Sequence, residues 1–253
     1  MSPTVAGTDQ ADNSTHTILQ LSDMHFVAAA GELVYGADPD AQFEATLAAC
    51  ADQVTGGVDL VLLTGDLTDD RSPAAYERLA GRVEQLGWPV IAFAGNHDDA
   101  DVLARHFATP QVHDLGDWQV LCLDTARPGQ VHGTVDVAAA ATALGGLGEQ
   151  VLVAMHHPPV SPSTRRTFSL DHDEEFLALI AASPQVKGII AGHLHQPFVR
   201  TLPGGAPLWG CPSTLVGAIH EGDSYRNGEG TVTGAQLIEL SADGTATSRL
   251  ITT

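Results

Sequence analysis

The sequence is short of several residue types, and each shortage excludes something. Three cysteines occur in 253 residues, at Cys50, Cys122 and Cys211. Their number is odd, they lie far apart, and they match no zinc-binding or redox spacing. Buried free thiols are expected rather than a disulfide framework. Lysine occurs once, at Lys187, and 11 basic residues face 31 acidic ones, for a formal charge of −20. A surface of that sign repels a polyphosphate backbone, so polymeric DNA or RNA is not an expected partner. No apolar run approaches the ~18 residues needed to cross a bilayer, so no membrane partner is expected either. The first fifteen residues are small and polar and lack the basic start and apolar stretch of a secretory signal. Residues 1–15 therefore read as a frayed tail, 16–253 as a single domain, and the cytoplasm as the compartment. No repeat or low-complexity linker marks a boundary inside 16–253.

What the chain does have is a recurring event. Five short apolar runs each stop abruptly at Asp, Asn or His. Thr17 to Leu21 runs into Ser22-Asp23-Met24-His25, and Leu60 to Thr64 into Gly65-Asp66. Val90 to Ala94 runs into Gly95-Asn96-His97-Asp98. Val151 to Met155 runs into His156-His157-Pro158-Pro159, and Gly188 to Ala191 into Gly192-His193-Leu194-His195. Six of the twelve histidines lie directly after these runs.

Helical patterns lie between the runs. Asp38 followed by Pro39 predicts a cap and first turn, with Phe43, Leu47, Cys50, Ala51 and Val54 on one face. Ser72-Pro73 repeats the arrangement, with Tyr76, Leu79, Ala80, Val83 and Leu86 as the buried stripe. Asp171 is the expected start of a third helix carrying Phe176, Leu177 and Ile180. Alternation of continuous apolar strands with helices predicts largely parallel sheets covered by helices. In such sheets the carboxyl ends of the strands form one rim, where sites lie. After residue 196 short strands separated by glycine-rich turns are expected at 198–202, 208–210, 214–219, 231–240 and 245–251, antiparallel and completing the sheets, with 221–230 a loop.

Oxygen and nitrogen donors without thiolate suit manganese, iron, cobalt or zinc. Seven such donors are too many for one tetrahedral zinc and suit two ions sharing a carboxylate. The order Asp-x-His, Gly-Asp, Gly-Asn-His-Asp, His, Gly-His-x-His resembles the calcineurin-like metallophosphoesterase superfamily, over residues 18 to about 220. The resemblance implies an α/β fold, a four-layer α/β/β/α sandwich of two mixed sheets flanked by helices. It implies two divalent ions, with manganese or iron ahead of zinc or cobalt. One ion would be held by Asp23, His25, Asp66 and His195, the other by Asp66, Asn96, His156 and His193. A metal-bridging hydroxide would attack phosphorus in line, and His97 would protonate the departing oxygen. Asn96, His97 and His195 would face the substrate, and Asp98 would orient His97. Within the His-His-Pro pair the pattern makes His156 the ligand and leaves His157 to packing or support.

Protein Ser/Thr phosphatases of this superfamily carry Gly-Asp-x-x-Asp-Arg-Gly and Gly-Asn-His-Glu. Here Asp70 takes the arginine's place and Asp98 the glutamate's. Gly-Asp-Leu-Thr-Asp, Gly-Asn-His-Asp-Asp, Leu-Asp-Thr at 123–125 and Met-His-His-Pro-Pro resemble instead the class III cyclic nucleotide phosphodiesterases. That implies a small phosphodiester substrate, a 3′,5′-cyclic nucleotide opened to the 5′-monophosphate, and a homodimer is common in such proteins. The alternatives are a broader phosphodiesterase or phosphatase acting on glycerophosphodiesters or nucleotides, and a metal-binding interaction module without turnover. His132 and His220 lie in segments that can reach the site. Arg71, Arg127, Arg165 and Arg166 could bring positive charge near phosphate, but surface arginines are usually just solvated and none is taken as a site residue.

Overall fold

The computed structural model describes residues 15–54 and 56–253. The tail expected over 1–15 falls outside them except for Thr15, which opens the first strand. In chain order the elements are β1 (Thr15–Leu21), α1 (Pro39–Gln53), β2 (Leu60–Thr64), α2 (Pro73–Glu84), β3 (Val90–Phe93), α3 (Ala100–Leu103), β4 (Val112–Leu115), β5 (Trp118–Leu123), β6 (Gly133–Thr134) and α4 (Val137–Leu144). They continue with β7 (Val151–Met155), a 3-10 turn (Arg166–Phe168), β8 (Leu170–Asp171), α5 (Asp173–Ala181) and β9 (Val186–Ala191). Last come β10 (Phe198–Thr201), β11 (Pro207–Gly210), β12 (Ala218–Glu221), β13 (Ser224–Asn227), β14 (Gly234–Ser241) and β15 (Ala246–Thr252).

Two large sheets carry the architecture. One has the order β15-β14-β1-β2-β3, the other β10-β11-β9-β7-β5-β4. Strands β1, β2 and β3 run parallel, as do β5, β7, β9 and β11, so their carboxyl ends share a rim. Alternation within strands explains the layering. Leu60 and Leu62 of β2 pack with Val120, Leu152 and Ile190 of the other sheet, whereas Val61 and Leu63 pack with Phe43 of α1 and Leu79 of α2. The second sheet turns its other face to Ala140 and Leu144 of α4 and to Phe176 and Ile180 of α5. Four layers result, α/β/β/α, as expected.

The helix starts follow local chemistry. The Asp38 carboxylate accepts from the Asp40 N–H and Ser72 Oγ from the Ala75 N–H, each with proline opening the helix. The third start differs from expectation. Asp171 closes β8, and the residue before α5 is His172, in left-handed backbone with no side-chain cap bond. Three acidic residues, Asp173 to Glu175, stabilise that end against the helix dipole instead.

The C-terminal part also departs in places. Strand β11 pairs in parallel with β9 rather than antiparallel, and most of the strand expected at 214–219 is loop. The expected loop at 221–230 contains β13, which pairs with β12 as a separate hairpin. Among the described residues no helix is long and apolar enough to cross a membrane. Cys50, Cys122 and Cys211 are free and buried.

Candidate functional site

The polar residues after β1, β2, β3, β7 and β9 meet at the shared rim. Their backbone is held in an unusual state. Asp23, His25, Asp66, His193 and His195 have φ of 55°, 50°, 50°, 69° and 51°, a left-handed region that residues with a Cβ seldom occupy. Each strand thus breaks into a tight turn that throws its side chain over the rim, and strain of this kind concentrates at functional sites. The glycines of the motifs make room. A Cβ on Gly95 would lie 2.2 Å from Asp66 Oδ1 and 2.4 Å from the Asp66 backbone nitrogen. One on Gly65, itself at φ 91°, would lie 2.4 Å from His156 Nδ1.

Hydrogen bonds to the outer ring nitrogens orient the imidazoles, and their inner nitrogens converge with carboxylate and amide oxygens. His195 Nδ1 donates to the Val216 carbonyl at 2.9 Å, and His156 Nδ1 to the Thr64 carbonyl at 2.8 Å. His25 Nδ1 lies 3.2 Å from the Asp69 carboxylate. The opposite nitrogens therefore face inward, each able to give a lone pair to a metal once it is deprotonated. His25 Nε2 and His195 Nε2 stand 3.2 Å apart, and His195 Nε2 lies 3.4 Å from Asp23 Oδ1. His156 Nε2 is 3.2 Å from Asn96 Oδ1 and 3.4 Å from Asp66 Oδ1. Asp66 Oδ2 reaches the other group, 3.9 Å from His25 Nε2. His193 Nε2 is buried with no hydrogen-bond partner. The convergence of imidazole nitrogens with carboxylate and amide oxygens, and the orphaned buried nitrogen of His193, fit a pair of cations with Asp66 between them, each displacing the protons the imidazoles hold.

The buried carboxylates also bias His156 and His195 toward holding a proton that a metal would displace. Asp23 and Asp66 are fully buried, and their only ion-pair partners among the described residues are histidines. Burial opposes the charge on Asp66, but His156, His25 and His97 hold its carboxyl well below the usual range. Burial likewise opposes protonation of His156, yet Asp66 and Asp23 push it up to about 9. His193 is held well down by burial and by the neighbouring His157 and His156, so it stays the neutral imidazole that a metal binds.

His157 lies close enough to His156 and His193 for the three to share a metal, but its ring nitrogens are already taken. Its Nε2 donates to the Val131 carbonyl at 3.0 Å and its Nδ1 meets the Thr125 hydroxyl at 2.9 Å, so both ring nitrogens are engaged. His157, although beside His156 and His193, therefore has no lone pair to offer and packs behind them. Burial and the His156 charge push it down to about 3.

His97 is partly exposed at the lip, with Nδ1 3.1 Å from Asp69. That contact raises His97 above the ordinary imidazole range, against the effect of burial. The expected partner, Asp98, is turned the other way. Its carboxylate accepts from the backbone N–H groups of Leu67, Thr68 and Gly95 and from the Tyr76 hydroxyl, tying the two turns together. Sequence reasoning missed Asp69, the second aspartate of Gly-Asp-Leu-Thr-Asp. Arg71, weighed from the sequence only as a charge that could approach phosphate, donates its guanidinium to the carbonyls of His97 and Asn96 at 2.9 and 3.1 Å. His220 lines the cleft over the site, whereas Val131 rather than His132 reaches it. His132 faces Asp171 at 3.5 Å.

An α/β/β/α sandwich with Asp, Asn and His donors converging on paired positions at its rim defines a metallophosphoesterase. The chain belongs to the calcineurin-like phosphoesterase family, whose family model matches residues 16–197. It is 33% identical over 221 residues to a probable cyclic nucleotide phosphodiesterase of Synechococcus sp., covering 81% of this chain and 83% of that one. It is 32% identical over 218 residues to the 3′,5′-cyclic adenosine monophosphate phosphodiesterase CpdA of Pseudomonas aeruginosa, covering 81% and 79%. A dimetal phosphatase from Danio rerio shares the fold, with a TM-score of 0.58 at 14% identity over 93% of this chain and 99% of that one.

Proposed function

We propose that the protein hydrolyses a 3′,5′-cyclic nucleotide, cyclic AMP in the first instance, to the 5′-monophosphate. The observation that carries the reading is the convergence of inward-facing nitrogens and oxygens on two positions, His25 Nε2 against His195 Nε2 and His156 Nε2 against Asn96 Oδ1. The names of the relatives at 33% and 32% identity support the substrate. In this reading Asp23, His25, Asp66 and His195 hold one divalent ion, and Asp66, Asn96, His156 and His193 the other. Manganese or iron is the expected pair, and the donors accept zinc or cobalt. When bound, two such ions make water a nucleophile near neutral pH and neutralise charge on the phosphoryl oxygens.

The chain's own groups do the rest. Asn96 turns its amide N–H toward a phosphoryl oxygen while its Oδ1 serves the metal position. His97 keeps Nδ1 on Asp69 and carries the transferable proton on Nε2. Water adds its hydroxyl to phosphorus and gives its other proton to solvent, the P–O3′ bond breaks, and His97 delivers its proton to O3′ and regains one from solvent. His195, at the cleft side of its metal position, borders the bound phosphate. Replacing His97 with alanine is expected to lower kcat for cyclic AMP by about 10²- to 10⁴-fold, the usual worth of a general acid, with both ions retained. Loss of an ion in metal analysis of that variant contradicts the assignment. The three buried free thiols support the cytoplasm as compartment, and the expected homodimer is read by sedimentation. Product analysis tests the function itself. Metal-loaded protein should yield 5′-AMP from cyclic AMP and lose that activity with a chelator; 3′-AMP, or no product, overturns it.

A further inference from the structure

Above the candidate ligands lies a cleft of about 180 Å³ whose outer part has a different chemistry. Among the described residues no lysine or arginine lines it, and Asp66 is the one acid there. Its far wall is aromatic. The Phe168 ring begins 5.7 Å from that of His193, and Tyr225 continues the wall, 5.5 Å from Phe168 and tilted by 31°. His220 backs both rings at 4.4 and 5.0 Å. On the opposite side Tyr35 stands edge-on to His25 at 5.4 Å.

Two observations say that this wall awaits a ligand. Large apolar side chains exposed to solvent are few in this acidic molecule, yet Tyr35, Val131 and Tyr225, at 52%, 45% and 41% exposure, all border this one cleft. Aromatic surface left in water beside a phosphate-directed site calls for a planar, uncharged group on the substrate. Second, His220 is buried, and its Nε2 donates to the Leu194 carbonyl at 3.0 Å. Its Nδ1 is then an acceptor, and that acceptor has no partner.

The wall is also anchored for such a task. Cross-links tie the β12–β13 hairpin that carries Tyr225 to the segment before Phe168, through Thr164 N–H to the Gly222 carbonyl at 3.0 Å and Arg165 Nε to the Asp223 carbonyl at 2.8 Å. The hairpin is joined to the metal-side turn by the Ala218 N–H on the His195 carbonyl at 2.8 Å. Aromatic face and candidate metal positions are thus linked through hydrogen bonds, which set the distance from phosphate to base.

We infer that Phe168 and Tyr225 form a nucleobase-binding face, on which the base of the substrate stacks while its phosphate reaches the rim. The inference rests on the reading of the substrate as a nucleotide. It makes Tyr225 and Phe168 specificity residues, selecting nucleosidic phosphodiesters over small ones.

Calorimetric titration of the metal-loaded protein with adenosine 5′-monophosphate and ribose 5-phosphate compares one phosphate with and without a base. The nucleotide should bind roughly 5- to 100-fold more tightly, the worth of one base stacked on an aromatic ring. Tyr225→Ala should bring the two affinities close together, and Tyr225→Phe, which keeps the ring, should preserve the gap. Equal affinities in the unaltered protein overturn the assignment, as does a gap unchanged in Tyr225→Ala and Phe168→Leu alike. Phosphocholine binding as tightly as the nucleotide also overturns it, since the rings would then be a cage for a cation. Failure to hydrolyse cyclic AMP with the nucleotide preference intact would remove the phosphodiesterase reading and leave the base face standing.

Discussion

The carboxylate of Asp69 lies between two imidazoles, 3.2 Å from Nδ1 of His25 and 3.1 Å from Nδ1 of His97. Its charge favours the protonated form of His97, so His97 keeps its proton to higher pH than a free imidazole. The sign of the consequence is definite. Asp69→Asn removes that charge and lowers the His97 pKa, so the acid form is lost earlier as pH rises. The alkaline limb of kcat for cyclic AMP should move to lower pH, with kcat falling by about 10- to 100-fold. A limb that stays in place contradicts coupling through His97. Chain adjacency had pointed to Asp98, and adjacency misleads at a tight turn. Successive side chains there diverge, and Asp98 faces inward, toward the backbone of the neighbouring turn. Burial and the nearby Asp66 push its pKa up to about 6, and four donors stand around it. Asp98→Ala leaves those donors unpaired and should lower the unfolding free energy by about 3 kcal/mol, read by urea denaturation. A loss near zero contradicts that structural role.

At the scale of elements, the sequence was most legible where a strand is buried on both sides. Strands β2 and β7 are buried at every residue, and such runs end visibly when the chain reaches the rim. The seven candidate ligands were visible for the same reason, as polar residues where an apolar run stops. The β12–β13 hairpin was not, because Ser224 to Asn227 is exposed throughout and carries no alternation of apolar and polar residues. Start signals were read well where proline follows a capping residue and poorly at α5, where no side chain caps the helix. What no periodicity conveys is why the turns need glycine. Gly95→Ala sets a methyl group against the Asp66 side chain and backbone together, so neither can yield cheaply. The variant should fold yet bind fewer than two ions per chain by metal analysis; two retained ions would contradict the proposed role of Asp66.

For the whole molecule, the two sheets matter because their parallel strands end at one rim, so donors distant in sequence arrive together. Asp23 and His193, separated by 170 positions, meet through the His193 N–H on the Asp23 carboxylate at 3.1 Å. The net charge of −20 acts at this scale too. A labelled single-stranded DNA oligonucleotide should show no binding by anisotropy even at low salt, where electrostatic attraction would be strongest. Salt-sensitive binding would contradict a small-molecule site on an acidic surface. In the proposed reading the rim holds two ions, and both are needed to open a cyclic nucleotide. Titrating metal-free protein with manganese while following conversion of cyclic AMP to 5′-AMP tests it most directly. Activity should rise until two equivalents are bound and then level off; a plateau at one equivalent, or no turnover with two ions bound, would contradict it.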